Sequence, residues 1–252
     1  MMLSTEEWHA RFSIQARWTR PLRGYLFPQA GLQRARRVLD VGCGTGALQA
    51  ELIEGGAAQV HGLDIDSRLL AEAAKKNLVS LLGQGDAHAL PYASGSFDLS
   101  LCHFLLLWVA DPYQVLLEMR RVTRPGGALL VLAEPDYGGR IDFPEELAEL
   151  GRLQAESLRQ QGAEPQMGRR IMGLMAGLGL ESLEVGVLGA QWGNLAASEV
   201  VTSEWNMLHH DLAGQLSEAQ LAHLRQLDEE AWSRGSRVLY VPTFYAWGRV
   251  ST

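Results

Sequence analysis

Lysine is almost missing from this chain: 252 residues hold only Lys75 and Lys76, against 20 arginines. Coding bias produces such a skew as readily as function does, so counting arginines is weak ground for a polyanion partner. Cysteine is equally scarce. Cys43 and Cys102 cannot build a disulfide framework, and a reducing cytoplasm is the expected setting. Long apolar runs are absent too, since the strongest, Phe104 to Ala110, is far too short to cross a bilayer. The first residues, Met-Met-Leu-Ser-Thr-Glu-Glu-Trp, lack a basic flank with an apolar core behind it, so no secretory leader is expected. Neither a Ser-His-Asp arrangement nor a phosphate-binding Lys-Ser/Thr loop occurs. His209-His210-Asp211 with His223 matches no metal-ligand spacing and reads as helix surface. There are no internal repeats and no low-complexity tracts.

What is present is an ordinary globular composition, 47% hydrophobic and 20% charged, with a formal net charge of −7. The charge is uneven: residues 1–37 carry seven arginines against Glu6 and Glu7. A basic arm of that kind can track phosphate, or it can be a solvated helix face. Residues 5–27 read as a helix with Trp8, Phe12, Gln15, Thr19 and Leu22 on one stripe, closed by Pro28 and Gly31.

From Arg37 onward short apolar runs alternate with amphipathic stretches. Strands are expected at Val38–Val41, Val60–Leu63, Val79–Leu82, Phe97–Cys102 and Ala128–Ala133, with helices at Ala47–Glu54, Ser67–Asn77 and Pro112–Val122. This alternation implies an α/β doubly wound, Rossmann-like, mostly parallel sheet whose ligands sit at the strands' carboxyl ends. Later, helices are expected at Pro144–Gln161, Gln166–Leu178 and within 194–234, with strands at Leu183–Leu188 and at Val238–Trp247, the latter interrupted by Pro242. The chain reads as one domain: a helical lid over 1–35, a cofactor-binding core over 36–134, and a C-terminal half over 135–252. That half has helical insertions at 144–178 and 191–235, expected over the ligand edge.

The chemistry starts at Asp40-Val41-Gly42-Cys43-Gly44-Thr45-Gly46, which joins a strand to a helix. Glycines there let the backbone turn tightly and approach a ligand. Gly42 to Ala47 also fits a dinucleotide pattern, so a nicotinamide cofactor has to be weighed. Asp40 argues against it, because a carboxylate beside a pyrophosphate is repulsive but beside an ammonium or sulfonium is favourable. Asp64 ends the second strand, placed for both hydroxyls of a ribose, and serves either cofactor. Asp86 and Ala87 follow the third strand, placed for an adenine's amino group and ring nitrogen.

Asp-Val-Gly-Cys-Gly-Thr-Gly, Gly62-Leu63-Asp64-Ile65-Asp66, Gly85-Asp86-Ala87, Leu90-Pro91-Tyr92 with Ser96-Phe97-Asp98, and Arg124-Pro125-Gly126-Gly127 stand in the order seen in class I S-adenosylmethionine-dependent methyltransferases. The set resembles the branch containing quinone-biosynthesis and other small-molecule enzymes, over roughly residues 36–134. That resemblance implies a seven-stranded sheet with the last strand antiparallel, and S-adenosyl-L-methionine as cofactor. It puts Asp40, Gly42, Cys43, Gly44, Asp64, Ile65, Asp86, Ala87 and His103 around the cofactor, with Arg11 or Arg17 reaching its carboxylate.

Methyl transfer from a sulfonium is an in-line displacement, and a base is needed only when the acceptor arrives protonated. His103, Trp108, Glu134, Asp136 and Tyr137 are the candidates for the acceptor side, with His103 and Tyr137 as candidate catalytic groups. The Asn/Asp-Pro-Pro-Tyr/Phe motif of amino methylation is absent. Trp192, Trp205, Met207 and Trp232 fall in the late helical block, which favours a small, largely apolar acceptor. The competing readings are an NAD-dependent oxidoreductase and a non-catalytic adenosyl- or RNA-binding protein. No membrane partner and no metal are expected, and nothing in the sequence bears on oligomeric state.

Overall fold

The computed structural model describes residues 4–76, 80–189 and 198–251. A seven-stranded sheet has the order β3-β2-β1-β4-β5-β9-β7. Its members are β1 (Arg37–Val41), β2 (Gln59–Asp64), β3 (Ser80–Gln84), β4 (Phe97–Cys102), β5 (Thr123–Pro135), β7 (Glu181–Val187) and β9 (Thr243–Arg249). The strands from β3 to β5 pair in parallel, while β9 is antiparallel to both its neighbours, β5 and β7. The expected sheet, with its last strand reversed, is thus observed. The expected helix end at Asn77, strand start at Val79 and the side chain of Trp192 lie outside the described residues.

Strands buried on both faces need apolar residues on both, and β5 shows the division residue by residue. Leu129 and Val131 join the core under helices α4 (Pro112–Val122) and α6 (Met167–Ala176). Leu130 and Leu132 face the opposite core, under α1 (Thr5–Ala30) and α2 (Gln49–Glu54). Each such leucine, wholly out of water, contributes roughly 1.5–3 kcal/mol of hydrophobic stabilisation. α3 (Ser67–Ala74) follows β2 and is capped by Asp66, whose carboxylate accepts from the Arg68 amide.

Two expectations change. Helix α1 runs through Pro28 and stops only at Gly31, whose left-handed φ of 83° lets its N–H reach Phe27 and Pro28 carbonyls. The Val238–Trp247 run splits at Val241-Pro242 into β9 and a separate strand, β8 (Val238–Tyr240). β8 pairs instead with β6 (Ile141–Phe143) in a two-stranded sheet. Proline lacks the donor a continuing ladder needs.

The two helical blocks also prove unlike each other. In the block over 144–178, α6 is not over the ligand edge at all. It packs on β9, β5 and β7 as a sheet-covering helix, with Ile171 and Met175 fully buried. The remainder, α5 (Ala148–Gln160), joins α7 (Ser198–Asp211) and α8 (Glu218–Ser233) in a small third core around Leu147, Leu150, Trp205 and Leu221. These helices with β6 and β8 form a cap, and its polar interior is continuous. Arg237 pairs with Asp142 and Asp228, Arg140 with Asp142, and Asp228 accepts from the Trp205 indole at 2.8 Å.

Candidate active site

A cavity of about 520 Å³ opens at the carboxyl ends of β1, β2 and β4, within the ~300–1,000 Å³ common for ligand sites. The loop after β1 builds one wall. Gly42, Gly44 and Gly46 all have left-handed φ, at 72°, 52° and 74°. At Gly44 any Cβ would also press on the Phe12 ring at 3.0 Å. Four of the loop's amides are already engaged: Gly42 and Cys43 donate to the Leu63 carbonyl, Gly44 to the Asp64 carboxylate at 2.8 Å, and Gly46 to the Cys43 carbonyl. Donors used this way cannot also cradle a pyrophosphate, which weakens the dinucleotide reading independently of charge.

Asp40 lines this cavity and is only 2% exposed. Among the described residues, no hydrogen bond or ion pair reaches its carboxylate. Burial first, then the neighbouring Asp64, push its pKa up to about 7, and the more distant Arg23 offsets little of that. A buried carboxylate without a protein partner is costly unless a ligand supplies a cation. Asp64, also lining the cavity, is raised by burial as well. Its two oxygens accept from the Gly44 and Asp66 amides, leaving lone pairs directed to other donors. Ile65 is 69% exposed at the cavity edge, where Leu69 extends the same apolar shelf.

His103 is in the cavity wall, at the end of β4, where Nε2 meets the Thr19 hydroxyl at 2.9 Å. Burial, helped by Arg23, lowers its pKa to about 3, so it is a neutral wall residue and a poor proton acceptor near neutral pH. Phe104 follows it with φ at 54°, a conformation a bulky residue holds only when its surroundings enforce it. The enforcement is visible: Phe104 N–H donates to Ala133, and the Glu134 carboxylate accepts the next three amides, Leu105 to Leu107. Glu134 is fully buried, and burial raises it to about 7 against the pull of those donors.

Of the residues expected around the cofactor, Asp40, Gly42, Cys43, Gly44, Asp64, Ile65 and His103 line the cavity. Arg17, Asp86 and Ala87 are not among its lining residues, and neither is Tyr137, the candidate catalytic group on the acceptor side. Arg17 is exposed, since it sits some 200° around the helix from Gln15 and Thr19. Arg11 is not at the cavity either and pairs with Glu204 of α7 at 3.3 Å. Asp86 is a turn former: its Oδ1 accepts from the His88 amide and ring, which holds it below the usual carboxylate range. Ala87 is buried in the α4-side core. The Tyr137 phenol is driven up to about 12 by burial, too high for a base at neutral pH. Glu134 and Asp136 are also spent, the first on amides and the second on Arg169.

Sequence reasoning missed several lining residues. The α1 stripe was visible, yet the arginines beside it drew the functional reading, whereas Trp8, Phe12 and Gln15 are what face the cavity. Phe104, Gln161 and His210 went unseen, the last dismissed as surface. No local signal marks Gln161 or His210, which reach the cavity only through docking of α5 and α7. Among the described residues no group of three or more metal-type ligands assembles, and no helix is long and apolar enough to cross a membrane.

Residues 39–131 match the methyltransferase domain family. With the sheet order above, this is a class I methyltransferase fold. Demethylmenaquinone methyltransferase of Beutenbergia cavernae is 40% identical over 101 residues, covering 40% of this chain and 42% of that one. Malonyl-acyl-carrier-protein O-methyltransferase of Erwinia pyrifoliae is 38% identical over 96 residues, covering 38% and 36%. These matches span less than half of either relative's length. Among solved structures, phosphoethanolamine N-methyltransferase 2 of Haemonchus contortus, in complex with S-adenosyl-L-methionine, superimposes with a TM-score of 0.56 at 19% identity. That match covers 86% of this chain and 49% of that one.

Proposed function

We propose that this chain transfers a methyl group from S-adenosylmethionine to a small, largely apolar organic acceptor. The observation that carries the reading is Asp40, a buried carboxylate facing the cavity with no ion pair among the described residues. The cofactor's ammonium answers it, Asp64 has lone pairs for the ribose hydroxyls, and Ile65 with Leu69 offers an apolar shelf for the adenine. When bound, the cofactor supplies an activated methyl group on a cationic sulfur. The protein's share is to align that group with the acceptor and keep water away, which is worth up to roughly 7–11 kcal/mol in favourable cases. Fold alone does not carry a reaction, so the argument rests on the site.

Calorimetric titration of S-adenosylhomocysteine and NAD into the purified protein tests it. Saturable binding of the first with no heat from the second is expected; binding of NAD alone contradicts the reading. The RNA-binding alternative makes a separate prediction, affinity for single-stranded RNA that falls steeply with salt. On the present reading no such binding appears, and Arg11, Arg23 and Arg37 of the basic arm are already engaged with Glu204, Glu51 and the Phe97 ring.

A further inference from the structure

Resting on the methyl-transfer reading, we propose that the cap end of the cavity takes a flat aromatic hydroxyl compound, and that His210 receives the hydroxyl proton. Charge divides the cavity in two. Every Asp and Arg that lines it, Asp40, Asp64, Asp66 and Arg68, belongs to the end built by β1, β2 and α3. The described lining residues at the other end include no carboxylate, ammonium or guanidinium. Among the described residues a fully charged acceptor finds no counter-ion there, which favours an acceptor that binds in its neutral form.

Its shape follows from the rings. Trp8 and Phe12 stack at 5.5 Å on α1, but on the glycine-loop side, where Phe12 faces Gly44, so the acceptor's wall is formed by the rings beyond them. Phe104 stands edge-on to His103 at 4.7 Å and close to Trp18 at 6.0 Å. Trp108 lines the cavity yet is 46% exposed, and Trp18, which meets Phe104, is 50% exposed, so aromatic surface at this end is open to solvent. Phe104 is held in its left-handed conformation by Glu134, which commits a buried carboxylate to fixing that loop. Faces and edges presented this way favour a planar partner.

The polar groups at this end are few, and of the two imidazoles His210 differs from His103. Its ring makes no hydrogen bond to a described residue, whereas His103 is committed to Thr19. The turn of α7 that carries it is pinned to α5. Asp211 accepts from Gln154 at 2.9 Å and from Gln161 at 3.2 Å, and its carbonyl accepts from Ser157 at 2.5 Å. A fixed, uncommitted imidazole in an uncharged pocket suits an acceptor that must lose a proton. In the step, the aryl oxygen bonds to the methyl carbon as the carbon–sulfur bond breaks. The sulfonium leaves as a neutral thioether, and the O–H proton passes to a His210 ring nitrogen, so the positive charge moves from sulfur to imidazole.

The probe is 4-nitrophenol, whose phenolate is yellow, titrated into protein saturated with S-adenosylhomocysteine at a pH where the free probe is mostly un-ionised. Saturable quenching of tryptophan fluorescence is expected, with a larger phenolate fraction bound than free. Trp108→Ala should weaken binding about tenfold, the scale of one lost aromatic pair. His210→Ala should bind the probe within about threefold of wild type while the bound phenolate fraction drops. Absence of saturable binding, or an unchanged phenolate fraction in His210→Ala, overturns the proposal. Failure of S-adenosylhomocysteine itself to bind would instead count against the methyl-transfer reading.

Discussion

The two ends of the cavity are built by different rules. At the cofactor end, function is carried by residues at strand termini and in one glycine loop, each placed by a few neighbours in sequence. At the cap end, the wall is assembled from α1, the loop after β4, α5 and α7, which lie far apart in the chain. The first end is a local product of the parallel sheet, whose strand ends always converge on one edge. The second exists only once the third core around Trp205 has formed and docked. The family match falls on the first end, over residues 39–131.

The largest effect should come from Asp40→Asn. Removing the charge that meets the ligand's cation is expected to weaken S-adenosylmethionine binding by about 100-fold or more. The same variant should raise the melting temperature of the free protein, because an uncompensated buried carboxylate is lost. Its pH dependence has a definite sign. The folded state holds a proton on Asp40 up to about pH 7, whereas the unfolded chain releases it near its ordinary value of 3.8. Stability of the free protein therefore falls as pH rises between those values, and Asp40→Asn should flatten part of that slope in thermal melts. Glu134, also raised to about 7, adds to the slope with the same sign, as do Asp64 and Asp211, both raised by burial.

Asp64→Asn comes next, with an expected affinity loss of about tenfold or more through the ribose hydroxyls. It is a cleaner probe than alanine, since an amide oxygen can keep accepting from Gly44 and hold the loop. Glu134→Gln sharpens the contrast between the ends. It should cost about 1–3 kcal/mol of stability in urea unfolding, because its amide group must face N–H donors. Affinity for S-adenosylhomocysteine should fall less than in Asp64→Asn, since the disturbed loop meets the glycine loop only through the Leu105 side chain at Gly42. The smallest effect is expected from Glu204→Gln, which cuts the Arg11 link between α1 and the cap. A change of about 1 kcal/mol or less, seen as faster cofactor dissociation in stopped flow, is the predicted outcome.

Legibility in the sequence followed the same division. The sheet, its strand ends and Asp40, Gly42, Gly44 and Asp64 could be read because alternating apolar runs and glycine positions are local signals. Asp86 looked equivalent to Asp64 but caps its own turn, a distinction that depends on where His88 points. Arg17 drew attention as a charge near the site, yet helical phase turns it away from the Trp8, Phe12 and Gln15 face. His210 could not be told from His209 beside it. One lines the cavity and the other meets Trp205 edge-on at 6.3 Å, and only the docking of α7 separates them. The split of β8 from β9 was signalled by Pro242, but not the separate sheet that β8 joins.

The most direct test of the account is the affinity of S-adenosylhomocysteine for wild type and Asp40→Asn, measured by calorimetry in one buffer. Tight saturable binding to wild type, weakened about 100-fold in the variant while its melting temperature rises, is the predicted result. Equal affinity for the two proteins would mean that Asp40 does not meet the ligand's cation, and the central claim would fall.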